Sequence, residues 1–192
     1  MLTEAELNER LLKIRMLLLD LDGVLTEGGI TMDGEREIKT FSARDGVGIK
    51  YLQRNGVEVA IITGRRGDAA SQRARDLGIE ELHMFALKKW PVVQEILKRR
   101  NFKIEEMAYI GDDLVDLPIM LRVGLGLAVA DTAPEVIAHC HAVLGKPGGR
   151  GAVREAAEMI LRAQGKWDAV VQSYLSLDEP EPQNPSSPQG PN

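Results

Sequence analysis

The chain is short of cysteine, of long apolar runs and of excess positive charge. Among its 192 residues only Cys140 is a cysteine, so no internal disulfide framework exists, and such usage agrees with a reducing compartment. The longest apolar run near the start is Met16 to Leu19, behind a charged segment. That is far short of the roughly 20 apolar residues a membrane helix needs, and of a signal-peptide core. No membrane association is expected, and the cytoplasm is the expected location. The formal net charge is −5, with lysines and arginines scattered among the acids. Nucleic acid and anionic membranes favour a basic stripe, so neither is an expected partner. No internal repeat is apparent.

What is present is enough apolar content, 44%, for the core of one domain. Residues 1–15 read as an N-terminal helix, with Thr3 as cap, Glu6 three residues on, and Leu7, Leu11, Leu12 and Ile14 at apolar positions. Residues 16–177 read as the main domain. Residues 178–192 hold five of the nine prolines and almost nothing apolar, which predicts a disordered tail that cannot repay its ordering entropy.

Short apolar runs at 16–19, 57–64, 81–86, 107–113 and 125–130 predict strands buried on both faces, as in parallel sheets. Helical patterns alternate with them at 45–55, 67–77, 89–100, 113–123, 132–140 and 150–164. The predicted fold is therefore α/β, a doubly wound (Rossmann-like) parallel sheet. One segment interrupts the alternation. Residues 30–41 carry Asp33-Gly34 between β-compatible flanks and predict an inserted hairpin. An ordinary surface hairpin, an oligomer contact and an active-site rim all fit it.

In open α/β sheets ligands sit beyond the carboxyl ends of the strands. The polar residues there are Asp20 and Asp22, then Thr63 and Gly64, then Lys88 or Lys89, and finally Asp112 and Asp113. Carboxylates gathered in one crevice repel unless a cation joins them. An all-oxygen set that leaves room for water and phosphate suits Mg²⁺ better than Zn²⁺. A calcium loop starting at Asp20 fails, because its fifth and sixth positions are Val24 and Leu25. A zinc site in "AHCHA" fails as well: on a helix His139, Cys140 and His141 point about 100° apart. Mg²⁺, a strand-end carboxylate, a lysine and a hydroxyl suit phosphoryl transfer, with one carboxylate as nucleophile and a second to move protons.

"DLDGVLT", "IITGR", a lysine at the third position and "GDDLVD" together resemble the four motifs of the haloacid dehalogenase superfamily. Longer stretches, among them "FSARDGVGIK", "YIGDDLVDLPIM" and "GGRGAVREAAEMILRAQGKW", are similar to its 3-deoxy-D-manno-octulosonate 8-phosphate phosphatase family. The resemblance implies Asp20 as nucleophile, Asp22 as acid/base, and Mg²⁺ held by Asp20, the Asp22 carbonyl and Asp112, with Asp113 in support. It further implies a capless fold, hydrolysis of a sugar acid phosphate through an aspartyl-phosphate on the route to lipopolysaccharide, and a homotetramer assembled through the hairpin. A nonulosonate 9-phosphate substrate and a catalytically idle relative are the competing expectations. Alignment on "LKKWPVVQEIL" favours Lys89 as the motif lysine, with Lys88 the alternative. Arginine forks bind carboxylates at two points, so Arg65, Arg44 and Arg150 are candidate ligands for the substrate's acid group. The amides of "PGGRGA", which opens a helix, are a candidate anion cradle.

Overall fold

The computed structural model describes residues 1–176; the proline-rich segment expected at 178–192 lies outside the described residues. Helix α1 (Glu4–Lys13) begins with a reciprocal capping box, Thr3 with Glu6, and leads into β1 (Met16–Leu19). The hairpin β2 (Thr31–Asp33) and β3 (Arg36–Ile38) follows, then α2 (Ala43–Arg54), β4 (Glu58–Ile62), α3 (Asp68–Leu77) and β5 (Glu81–His83). The chain continues through α4 (Lys89–Arg100), β6 (Met107–Gly111), a 3₁₀ turn at Leu114–Asp116 and α5 (Leu117–Met120). It ends with β7 (Leu125–Ala128), α6 (Pro134–Ile137), β8 (Ala142–Val143), α7 (Ala152–Ala163) and α8 (Trp167–Leu175).

The main sheet has the order β5-β4-β1-β6-β7-β8, and all its pairings are parallel. Side chains alternate across a strand, and here the alternation sorts the core into two layers. Leu17, Leu19, Val59, Ile61, Ala108 and Ile110 pack with residues of α1, α2, α3 and α7. Met16, Leu18, Ala60, Ile62, Met107 and Tyr109 pack with residues of α4, α5 and α6. Both faces are thus covered, which is why the strands read as continuous apolar runs. The predicted doubly wound sheet and the inserted hairpin hold, and between β1 and β4 the chain carries only that hairpin and α2, as the capless resemblance implies.

The helical patterns at 113–123 and 132–140 shorten to the 3₁₀ turn with α5 and to α6, and three further differences are local. The strands at 57–64, 81–86, 107–113 and 125–130 are shorter than the apolar runs because the sheet ends where the chain turns into its site loops. Strand β8 and helix α8 were not expected from the pattern; α8 is held by buried Trp167, whose ring meets Tyr51 edge-on at 5.9 Å. The hairpin turn is Gly34-Glu35, one residue beyond Asp33-Gly34, because Asp33 pairs with Arg36. Gly34 stands at φ +60°, and a glycine first with positive φ is what a type II′ turn requires.

Successive strands run outward from β1 on one side and then from β6 on the other, so the topology reverses between β1 and β6. A crevice opens outside the carboxyl ends of the strands at such a switch point. Asp20 follows β1, Thr63 follows β4 and Asp112 follows β6, and they share that edge.

Candidate active site

Lys89 organises the crevice. It is the first residue of α4, and its position turns the side chain inward while the capping Lys88 stays exposed; Lys89 is therefore the lysine of the site. Its Nζ donates to Asp20 Oδ1 at 2.6 Å, to Asp116 Oδ1 at 2.7 Å and to the Tyr109 hydroxyl oxygen at 3.1 Å. Asp116 is fully buried. Its Oδ1 also accepts from the Tyr109 hydroxyl at 2.5 Å, and its Oδ2 accepts from the amides of Asp112 and Asp113 at 3.0 and 3.4 Å. All its lone pairs are engaged, as a buried carboxylate requires.

Asp20, Asp112 and Asp116 bring carboxylate oxygens within 4.8 Å of one another. Burial and Asp116 push the Asp20 carboxyl up to about 6 against the pull of Lys89. Burial, Asp116 and Asp20 push Asp112 up to about 8. Burial works against the charge on Lys89, but Asp116 and Asp20 hold its ammonium above the usual lysine range. Three acids with one lysine leave an excess of negative charge in a low-dielectric pocket. A hard divalent cation with oxygen preference fits the free oxygens of Asp20 and Asp112, with Asp116, already engaged, adding negative charge behind them.

The turn after β1 is shaped around Asp112. Gly23 stands at φ +91°, and a Cβ there would lie 2.0 Å from Asp112 Oδ2. Gly148 in turn leaves no room beside Gly23, since its Cβ would lie 1.7 Å from the Gly23 carbonyl oxygen. The Gly149 amide donates to the Val24 carbonyl at 2.8 Å. The "PGGRG" loop is thus a brace for the Asp20–Asp22 turn. Its expected role as an anion cradle does not hold. Asp45, on α2, already accepts from the amides of Gly151 (3.1 Å) and Arg154 (2.8 Å), and Gly148 donates to Asp131. The chain supplies its own anion at the start of α7.

The remaining candidates separate. Thr63 is buried, its amide donates to the His83 carbonyl at 2.9 Å, and its Oγ1 accepts from the Arg65 amide at 3.2 Å. Gly64 lies beside Leu87. Asp22 is half-buried; Lys39 donates to its Oδ1, and Arg65 Nε lies 3.9 Å from its Oδ2. Arg65 also holds Glu37 at 2.6 Å. The hairpin therefore forms part of the rim. Asp113 is not brought into the carboxylate cluster: it is exposed and its Oδ1 caps the Leu114 amide at 2.7 Å. Arg150 is exposed and paired with Glu27 at 2.7 Å, and Arg44 is exposed on the first turn of α2. His139, Cys140 and His141 form no metal-ligand group: the His139 ring meets the Glu135 carbonyl, Cys140 donates to the Ile137 carbonyl, and His141 Nδ1 accepts from the Gly126 amide.

Asp116, Tyr109, Lys39, Glu37 and Asp45 were missed by sequence reasoning. Asp116 carries a legible signal, being the third acid of "GDDLVD" and four residues after Asp112, where a turn of helix returns it to the same side.

A doubly wound sheet that gathers an Asp-x-Asp turn, a threonine, a buried lysine and further acids at its switch point defines a haloacid dehalogenase-like hydrolase. The model of that description matches residues 86–155. The curated 3-deoxy-D-manno-octulosonate 8-phosphate phosphatase KdsC of Yersinia pestis is 45% identical over 161 residues, covering 83% of this chain and 86% of its own length. The crystal structure of the phosphatase of that name from Yersinia pestis superposes with TM-score 0.84 at 43% identity, over 85% of this chain and 89% of that one. The Moraxella catarrhalis phosphatase, solved with magnesium ion, phosphate ion and KDO, superposes with TM-score 0.87 at 34% identity, over 90% of this chain and 99% of that one. The chain belongs to the 3-deoxy-D-manno-octulosonate 8-phosphate phosphatase family. No helix of the described residues is long and apolar enough to cross a membrane.

Proposed function

We propose that the chain is a Mg²⁺-dependent phosphatase that hydrolyses 3-deoxy-D-manno-octulosonate 8-phosphate to the free sugar acid and inorganic phosphate. The observation that carries this reading is buried Lys89 tying Asp20 to Asp116 beside Asp112. Residues 16–177 form the catalytic domain. Asp20 is the nucleophile: a carboxylate oxygen attacks phosphorus, the bond from phosphorus to the sugar oxygen breaks, and an aspartyl-phosphate forms. Asp22 donates a proton to the departing sugar oxygen and then takes one from the water that hydrolyses the acyl phosphate. Lys89 offsets charge on the phosphoryl oxygens, and Thr63 with the amide of Gly64 binds the same oxygens. Asp20, Asp112 and the backbone carbonyl of Asp22 would hold Mg²⁺, with Asp116 beside them in place of Asp113. When bound, the ion supplies charge neutralisation for phosphoryl transfer.

The sugar's own carboxylate calls for a cation at the rim. Arg65 is the best placed of the three candidate arginines, because it is already drawn to Asp22 and Glu37. The setting of the reaction is the cytoplasmic route to lipopolysaccharide, and the working assembly is a homotetramer.

Phosphate release with and without EDTA, on eight-carbon and nine-carbon sugar acid phosphates, tests the reading. The expected result is Mg²⁺-dependent turnover with preference for the eight-carbon substrate. No turnover on any sugar phosphate would overturn the enzyme reading, and nine-carbon preference would overturn the substrate. Asp20→Asn is expected to abolish turnover while the protein stays folded by circular dichroism.

A further inference from the structure

The hairpin carries one residue that a solvated surface ribbon does not need. Strands β2 and β3 are largely exposed and pair only with each other, yet the side chain of Lys39, just after β3, is 1% exposed. Burying an ammonium costs several kcal/mol unless partners repay it. Its partners are Asp22 Oδ1 and, at 2.5 Å, Glu37 Oε1. Glu37 Oε2 holds Arg65 Nη2 at 2.6 Å, which braces the lysine from the far side. The second oxygen of the same aspartate, Asp22 Oδ2, is shielded from solvent and accepts no hydrogen bond.

One oxygen pinned and the other free of hydrogen bonds, with Arg65 Nε 3.9 Å away, is an arrangement that suits a proton carrier, since the oxygen that exchanges the proton is not already engaged by a donor. The geometry points to Lys39 as a positioning residue for Asp22, fixing Oδ1 so that Oδ2 serves the leaving group. This rests on the reading of Asp22 as acid/base. As the Asp20–phosphorus bond forms and the phosphorus–alcohol bond breaks, the proton on Asp22 Oδ2 passes to the alcohol oxygen. In the second half, Oδ2 takes a proton from water as the water oxygen bonds phosphorus and the Asp20–phosphorus bond breaks. Inorganic phosphate leaves and both side chains return to their starting state. Lys39 touches no reacting atom, so its effect is confined to steps that need Asp22.

Leaving-group dependence isolates those steps. A sugar alkoxide must be protonated as it departs, whereas a nitrophenolate need not be. Native protein, Lys39→Met, Lys39→Arg and Asp22→Asn are compared on 3-deoxy-D-manno-octulosonate 8-phosphate at steady state and on p-nitrophenyl phosphate by its first burst of nitrophenol, all with Mg²⁺. Lys39→Met is expected to lower kcat on the sugar phosphate by about 30- to 100-fold, with KM changed less than about 3-fold and the nitrophenol burst rate kept within about 3-fold. Lys39→Arg is expected to recover most of the loss. A retained burst shows that the variant is folded, and Lys39→Gln gives the same readout if Lys39→Met does not fold. Equal loss on both substrates overturns the inference, as does a rise in KM with kcat intact, which would make Lys39 a substrate ligand. If Asp22→Asn itself shows no leaving-group split, the acid/base reading falls; if Asp22→Asn shows it and the Lys39 variants do not, only the role of Lys39 falls.

Discussion

Asp116 Oδ1 lies 2.7 Å from Lys89 Nζ, and neither side chain is open to solvent. The pair joins the 3₁₀ turn after β6 to the first turn of α4, and through Lys89 it reaches Asp20. A buried ion pair of this kind is worth little against an apolar replacement, but removing one partner is costly because the other charge is stranded. Here the stranded group would be the lysine that faces the phosphate.

Asp116→Asn is accordingly expected to lower kcat/KM by about 10- to 100-fold and to raise the Mg²⁺ concentration for half-maximal activity, as loss of groups behind metal ligands does. Steady-state kinetics across a Mg²⁺ series checks this. Unchanged Mg²⁺ dependence would separate Asp116 from the metal.

The crowded carboxyls set a pH dependence of stability. Asp20 at about 6 and Asp112 at about 8 stand above the ordinary 3.8. Between about pH 4 and pH 8 the folded metal-free protein therefore binds more protons than the unfolded chain, and its stability falls as pH rises through that window. Mg²⁺ displaces those protons, so its apparent affinity is expected to climb by up to about tenfold per pH unit for each proton released. Thermal melts with and without Mg²⁺ at several pH values read both effects; a metal-free melting temperature that rises from pH 6 to 8 would contradict the first.

Gly148 leaves only enough room for the Gly23 carbonyl. Gly148→Ala is expected to shift the turn carrying Asp20 and Asp22, lowering kcat by about 100-fold, the scale of a displacement near 1 Å. Stability should fall by only about 1–3 kcal/mol. Comparing kcat with a urea midpoint distinguishes a displaced site from a lost fold.

Asp45 accepts from two amides at the start of α7 and is buried. Asp45→Ala is expected to cost about 2 kcal/mol, and Asp45→Asn about half of that, since the amide oxygen still accepts. Denaturant unfolding of both variants tests the order.

Much of the fold was legible because strands buried on both faces are written as uninterrupted apolar runs. The runs end at their polar residues, and that alone places Asp20, Thr63 and Asp112 on one edge. What was illegible has particular causes. Asp113 is adjacent to Asp112, and one residue of rotation sent it to solvent as a cap while Asp116 came back to the cluster. Arg150 is a candidate for its guanidinium fork and the amides around it for their place at a helix start, but Arg150 pairs with Glu27 and the glycines seat the loop against Gly23 and Val24.

The sequence by itself determined the order of strands and helices apart from β8 and α8, the paired acids after β1 and the family, because periodicity and motif spacing are local properties of the chain. Only the tertiary structure decided between Lys88 and Lys89, since adjacent positions at a helix start face about 100° apart and the one that meets Asp20 does so across 69 residues. It also decided that Asp116 joins the carboxylates, that Lys39, braced by Glu37, reaches from the hairpin to Asp22, and that Asp45 occupies the helix start expected to hold a ligand. Each rests on a contact between polar groups distant in sequence, fixed by how the sheet packs its helices rather than by any pattern along the chain.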